Sequence, residues 1–410
     1  MTPDEALDHA PPVNLARFAK LPNILIGVGG LLALIGAFSQ TKQFGFSYLL
    51  AFMFFSSLCI GGLFLTIAHH LFDANWSLPL RRVNEHLAFL APALAVLFIP
   101  VAILAPKLYP WMSVADPHSD HALYVKSPLF TIPGFYVTSA LILGIWCFFS
   151  WRLRAWSLKQ DKVGGEEPTR KMRVLASFGV VGFAVSLTFG AIMWMKALMH
   201  QWFSTMYGVW YFAGSVWTTL ITVWVIMLVL KRNGPLKQVA KAKQFYFTGS
   251  LFFAFTVFYA YITFSQYFII WNANIPEETF WYIRREKGSW WDIGQIIIFC
   301  HFFVPFLMLL RIDFKLKAAI MIPLMLWAWL MHFIDLSFNI MPVLHPDGFV
   351  LHWLDIGCFA LIGGVLAKVF IHYFKSHPPY PLKDPRLCET LGLHLPRASE
   401  ALRAQTGHAK

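Results

Sequence analysis

Long apolar runs alternate with short charged breaks along the whole 410-residue chain. Ten runs approach the length, about 20 residues, that lets a helix cross a bilayer. They lie at roughly 22–40, 46–71, 84–105, 129–151, 174–198, 205–230, 245–270, 291–311, 317–341 and 351–374. In lipid each backbone N–H and C=O must find its partner within the segment, and a continuous helix provides this. The pattern predicts an all-α integral membrane protein with a ten-helix domain over 22–374. Tails are expected over 1–21 and 375–410.

Composition agrees. Residues are 58% hydrophobic and only 13% charged, about half the charged fraction of soluble domains. The net charge of +12 does not point to nucleic acid, because the basic residues sit in short breaks rather than in one patch. Arg81 and Arg82 fill the second break, and Arg152, Arg154, Lys159, Lys162, Arg170, Lys171 and Arg173 the fourth. Lys231, Arg232, Lys237, Lys241 and Lys243 fill the sixth, and Arg311, Lys315 and Lys317 the eighth. The alternate breaks are poorer in Lys and Arg. Both termini are therefore expected in the cytoplasm. The N-terminus is polar and mildly acidic, so no cleaved signal peptide is expected.

The 5 cysteines, Cys59, Cys147, Cys300, Cys358 and Cys388, form no CxxC or CxxCH. An iron–sulfur cluster, a zinc knuckle and an attached c-type haem are not implied. A Walker motif, a Rossmann fingerprint and well-spaced histidine pairs for two b-type haems are also missing. No metal site or catalytic residue is assigned, and the chain is expected to carry no redox cofactor of its own. Two outer breaks are substantial: Pro106 to Pro128, and Trp271 to Trp291, whose tryptophans and Tyr282 suit the headgroup level. The Pro-rich tail from His377 is expected to run along the cytoplasmic surface.

The ionisable groups fall into two sets. One lies at the turn between the second and third runs, "HHLFDANWSLPLRRVNEHL": His69, His70, Asp73, Arg81, Arg82 and Glu85. Arg81 and Glu85 are four apart and can pair across one helical turn. As a structural feature the cluster is an interfacial anchor with an ion pair. As a functional one it is a proton entry point, since histidine titrates near neutral pH. The second set lies deeper. Trp329, His332, Asp335 and Asn339 share or nearly share one face of the ninth run. His352 and Asp355 begin the tenth run, Asp292 begins the eighth, and His301 lies near the eighth's middle. A carboxylate among apolar groups costs several kcal/mol unless paired or neutralised. Such residues usually face the bundle interior and carry function. The seventh run adds a stripe of Thr256, Tyr259, Thr263 and Gln266. It serves either as packing glue or as a hydrogen-bonded water path.

The turn quoted above, "QWFSTMYGVWYFAGSVW" (Gln201–Trp217) and "SQYFIIWNANIPEETFWYIRREKGSWW" (Ser265–Trp291) together resemble the ActF family. ActF is one of two large integral subunits of bacterial alternative complex III, a quinol:cytochrome c oxidoreductase, within the wider NrfD/PsrC group. The resemblance runs from about the second run to the tenth. It implies a bacterial inner membrane and two four-helix bundles, spans 2–5 and 6–9, flanked by spans 1 and 10. It also implies partners: an ActC-like sister subunit, an iron–sulfur subunit, a multihaem cytochrome c, small membrane-anchored subunits and, in some assemblies, a terminal oxidase. Haems and iron–sulfur clusters would sit on those partners. The implied small molecules are lipids and a quinone, menaquinone or ubiquinone, and the implied role is quinone binding, a proton path or both. One departure stands out. Before Trp202 the family pattern has an aspartate, whereas this chain has Met199, with Lys196 upstream.

Three functions compete. The first is a membrane subunit of a quinol-oxidising complex with Asp335 and His332 as proton acceptors. In that reading the turn at His69–Glu85 could feed Asp335 through the seventh-run stripe. The second is a purely structural scaffold of the same complex. The third is an independent transporter, which would favour Gly- or Pro-broken spans in matching halves. Pro92, Pro100, Pro133, Pro305 and Pro323 are not obviously paired in that way.

Overall fold

The computed structural model describes residues 13, 15, 18–114, 116–127, 129–387 and 390. Residues 1–12, the tail beyond residue 390, and Cys388 lie outside the described residues. Among the described residues all regular structure is helical. Nine helices are long and apolar enough to cross a membrane, and ten if one bent pair is counted as a span. The chain is thus a multi-pass all-α membrane protein.

The first and second spans are Lys20–Ser39 and Thr41–Leu71. The third is the bent pair: segments over Asn75–Leu97 and Ile99–Leu108 meet at 55°. Pro92 and Pro100 stand in the first turn of the helices Ala91–Leu97 and Ile99–Leu108. There the missing N–H costs nothing, but the preceding helix cannot continue unbroken. The fourth to tenth spans are Ile132–Val163, Glu167–Trp194, Tyr207–Arg232, Ala242–Ala273, Ser289–Leu309, Ala318–Val343 and Trp353–Lys375.

The fourth and fifth spans overrun the apolar runs that mark them. Residues 152–163 and 167–173, expected as a basic loop, are helical, and only Gly164 to Glu166 turn the chain. Arg and Lys are good helix formers, so charge marks where lipid ends, not where the helix ends. Gly164 and Gly165 stop it at φ 71° and 80°, values open to glycine at little cost.

Spans two to five pack as one group and spans six to nine as another, with spans one and ten paired beside span two. Spans two and six form the centre. Their apolar windows are 89% and 78% inside the protein, against 22–39% for the other unbroken spans. They touch at Gly61, where a Cβ would fall 2.1 Å from Thr219 Oγ1. The groups therefore meet closely only because that position carries no side chain.

Candidate functional site

The deep set converges in the second group of helices, against span two. Asp335 and His332 are 3% and 1% exposed. His332 Nε2 is hydrogen-bonded to Ser57 Oγ of the second span at 2.9 Å. Gly214 of the sixth span makes room for the ring: a Cβ there would lie 3.2 Å from His332 Cε1. Trp210 and Tyr259 flank the Asp335 carboxyl, but neither closes a hydrogen bond of normal geometry on Oδ2. Asn339 Nδ2 donates to the Asp335 backbone carbonyl at 2.9 Å.

His301 enters from the eighth span. There Ile297–Phe303 is a π-helical turn rather than α, a distortion frequent at functional sites. The His301 ring lies between Trp217 and Tyr259, with centroids at 4.2 and 4.0 Å and near-parallel planes. Trp217 is held by its indole nitrogen, which donates to Thr256 Oγ1 at 2.8 Å. Tyr259 Oη, Thr263 Oγ1, Asp335 Oδ2, His332 Nδ1 and both His301 ring nitrogens are buried and close no hydrogen bond of normal geometry within the protein, with Tyr259 in reach of Trp210, Thr263 and Asp335. Nearly all buried polar groups in native structures do close one. Titratable groups from spans seven, eight and nine thus share one buried site whose hydrogen-bonding capacity is only partly used within the protein. Such a site can take water, pass a proton between a carboxyl, imidazoles and a phenol, or grip a polar ligand.

The seventh-span stripe faces this site and then leads away from the Lys/Arg-rich side. Beyond Thr263, Gln266 accepts from Ser204 Oγ at 3.0 Å and donates to Tyr282 Oη at 3.2 Å. The expected link from the site to the turn at His69–Glu85 is therefore not made by the stripe, which leads toward the opposite face.

That turn is closed. Arg81, Arg82, Glu85, His69 and His70 are at most 2% exposed. Leu78–Ala88 is helical, so Arg81, Arg82 and Glu85 lie within a helix and not in a loop. Arg81 Nε pairs with Glu85 Oε1 at 3.0 Å, as the spacing predicts, and Arg82 Nη1 with Glu85 Oε2 at 3.0 Å. Asp161 of the fourth span engages Arg82. The C-terminal segment, expected along the surface, is docked here. Asp384 pairs with Arg81, and Arg386 pairs with Asp73 at 2.8 Å. Leu382 N donates to Asp161 Oδ1 at 3.1 Å. Burial alone would raise the Asp384 carboxyl, but the Arg81 and Arg386 guanidiniums outweigh it and hold it well below the usual carboxylate range. Asp73 is half exposed, at φ 50°. His69 Nδ1 bonds Ser77 Oγ at 2.7 Å, while both nitrogens of His70 are without a protein partner.

His352 and Asp355 do not reach the centre. They form the N-terminal cap of the tenth span: His352 N donates to Asp355 Oδ2 at 2.9 Å, and Leu354 N to His352 Nδ1 at 3.3 Å. Ser47 Oγ donates to Asp355 Oδ1 at 2.5 Å. Asp292 is exposed in the first turn of the eighth span, where it suits the helix dipole.

Arg285 was legible only as one loop charge. It is 2% exposed and lies face-on over Trp281, 3.4 Å from the ring centroid. It donates to the carbonyls of Trp281, Phe338 and Asn339 at 2.8–3.0 Å. Among the described residues it forms no ion pair, and burial pulls it down to about 9. Its Nη1 lies 3.9 Å from Met199 Sδ. Tyr207 lies within electrostatic reach of both Arg285 and Asp335. Trp281, stacked on Trp202 at 4.6 Å, and Trp290 are buried, whereas Trp271 and Trp291 stay exposed as headgroup anchors would. Lys196 is buried beside Lys126 and donates to the Trp202 carbonyl at 2.9 Å; burial, then Lys126, pulls it down to about 7.

Among the described residues no group of three or more His, Cys, Asp or Glu side chains is placed to hold a metal ion. No protein-family model matches the chain, and no curated protein matches it.

Proposed function

We propose that the chain is an integral subunit of a quinol-oxidising respiratory complex of the alternative complex III kind, and that its buried centre handles protons. One observation carries the proton role: Asp335, His332, His301 and Tyr259 share one buried site, with hydrogen-bonding positions only partly used within the protein. The ActF-like segments support the choice of complex. In this reading both termini face the cytoplasm of a bacterial cell. The haem and iron–sulfur partners carry the electrons, and this chain supplies proton-accepting groups.

A groove of about 370 Å³ between spans one, two, three, six, nine and ten supports the quinone part. Its walls are almost wholly apolar and include Phe55, Leu58, Leu87, Val229, Trp329 and Leu366. An isoprenoid tail or a lipid chain fits such a lining. Trp329 of the groove and His332 of the centre both contact Phe54, at 5.3 Å each, so a single aromatic layer separates them.

The scaffold reading keeps one supporting observation, the closed ion-pair centre around Arg81, which needs no proton traffic to explain it. The experiment is a tagged chain isolated from its native membrane in mild detergent. Co-purifying haem is expected; a lone protein would favour transport and overturn the complex. In the isolated complex, Asp335→Asn should lower quinol turnover or the proton-to-electron ratio with assembly intact. Unchanged values for both would leave the scaffold.

A further inference from the structure

On the Lys/Arg-rich side, the end of the sixth span, the start of the seventh and the turn before the ninth enclose a cleft of about 500 Å³. Lys231, Arg232 and Lys237 line it, together with Trp224, Leu228 and Phe245, and no carboxylate does. The ion pairs of this side use other cations: Arg81, Arg82, Arg173, Arg311, Lys317 and Arg386. Asp313, in the adjoining turn, is already engaged by Arg311 and Lys317. The three cleft cations form no ion pair among the described residues.

The cleft is built rather than incidental. The Trp224 indole nitrogen donates to two carbonyls, Phe245 at 3.2 Å and Lys315 at 3.1 Å, which fixes the apolar wall to three elements. Lys231 Nζ lies 5.2 Å from the centre of the Phe245 ring. The cations sit where the sixth span ends, at Arg232, and the wall of Trp224 and Leu228 lies one to two turns deeper. Charge at the headgroup level with apolar surface directly beneath it matches one class of molecule, a phosphate ester carrying acyl chains. Basic pockets between membrane helices hold anionic lipid headgroups for this reason. A free phosphate would use the cations and leave the wall idle.

We infer that this cleft is a binding site for an anionic phospholipid, with the phosphate on Lys231, Arg232 and Lys237 and the upper part of a chain on Trp224 and Leu228. The inference is independent of the role proposed above.

The test is thermal unfolding of the full-length chain in mild detergent, with phosphatidylglycerol, phosphatidylcholine or sodium phosphate added. Phosphatidylglycerol should raise the midpoint by about 2–5 °C, and phosphatidylcholine should not. The triple variant Lys231→Gln, Arg232→Gln, Lys237→Gln should lose at least half of that rise. A control triple on the same side, Lys159→Gln, Arg170→Gln, Lys171→Gln, should keep it. Native mass spectrometry should show one phosphatidylglycerol retained by the parent and not by the cleft variant, a readout that does not depend on the variant's own stability. Equal loss in both triples would reduce the cleft to general surface charge and overturn the site. An equal rise with sodium phosphate would overturn the lipid as its occupant.

Discussion

The Asp384 carboxylate pairs with the Arg81 guanidinium across 303 residues of chain, and neither side chain is accessible to solvent. The C-terminal segment therefore closes a buried ion-pair centre and is part of the fold. Asp384→Asn should cost up to about 3–5 kcal/mol, because it leaves Arg81 buried with one carboxylate fewer. A lowered thermal midpoint and faster proteolysis after Tyr380 would register it. The pH dependence has a definite sign. A carboxyl held below its unfolded value stabilises fully above that value, near 4, and loses the contribution as pH falls further. The gap between parent and variant should thus be widest at neutral pH and shrink below about pH 4.

Gly214 sets how closely the sixth span approaches His332. A Cβ would stand 3.2 Å from His332 Cε1 and 3.4 Å from Nδ1, which forces the imidazole or the helix to shift. Gly214→Ala should destabilise by about 1–3 kcal/mol through overpacking. It should also weaken the His332–Ser57 bond. If the centre handles protons, turnover of the assembled complex should fall further than the stability loss explains. A variant with parental midpoint and parental turnover would show that the site has slack around the ring.

Arg285 is buried against three carbonyls and a methionine sulfur, with an aromatic ring beneath it. A carboxylate at position 199 would stand beside an otherwise unpaired guanidinium, where a charge-assisted bond is strong. Met199→Asp should therefore be tolerated and raise the thermal midpoint, whereas Met199→Leu should leave it near the parental value. Desolvation of the new carboxylate opposes the gain, so the comparison decides the sign. A lower midpoint for Met199→Asp than for Met199→Leu would mean that the carbonyls already satisfy Arg285.

Much of this was legible in the sequence, for reasons that differ by residue. The spans were, because lipid demands about 20 apolar residues wherever a helix crosses. His332 and Asp335 were, because a spacing of three places them on one face. Tyr259 appeared as part of a stripe, but nothing in "IIFCHFF" (residues 297–303) marks the π turn that brings His301 onto it. Trp210 and Gly214 went unnoticed, since an indole and a glycine inside an apolar run look like packing. The tie from Asp384 to Arg81 could not be read, because no local pattern reports a contact 303 residues away. The cap formed by His352 and Asp355 did carry a signal. A side-chain acceptor followed three residues later by an acid, at the start of an apolar run, has the spacing of a capping box; here histidine takes the place of the usual serine or threonine.

That cap separates two carboxylates with the same His-x-x-Asp spacing. Asp355 has its oxygens taken by the His352 amide and the Ser47 hydroxyl, while the Asp335 carboxyl lies beside Tyr259 and Trp210 and its Oδ2 closes no bond of normal geometry. The first carboxylate is occupied in holding a helix end; under the proposed function the second is the one that exchanges a proton. Asp355→Asn keeps an acceptor for the His352 amide but can lose the Ser47 contact. It should lower the thermal midpoint, by an amount corresponding to about 1 kcal/mol, and leave quinol turnover of the assembled complex unchanged. Asp335→Asn should do the reverse, with a midpoint at or above the parental value, since burying a neutral amide costs less than burying a charge, and with turnover or proton release reduced. Measuring both variants by thermal unfolding and by turnover places each carboxylate in one role. If Asp355→Asn lost turnover while Asp335→Asn kept it, proton handling would belong to the outer end of the tenth span and the buried centre would be packing.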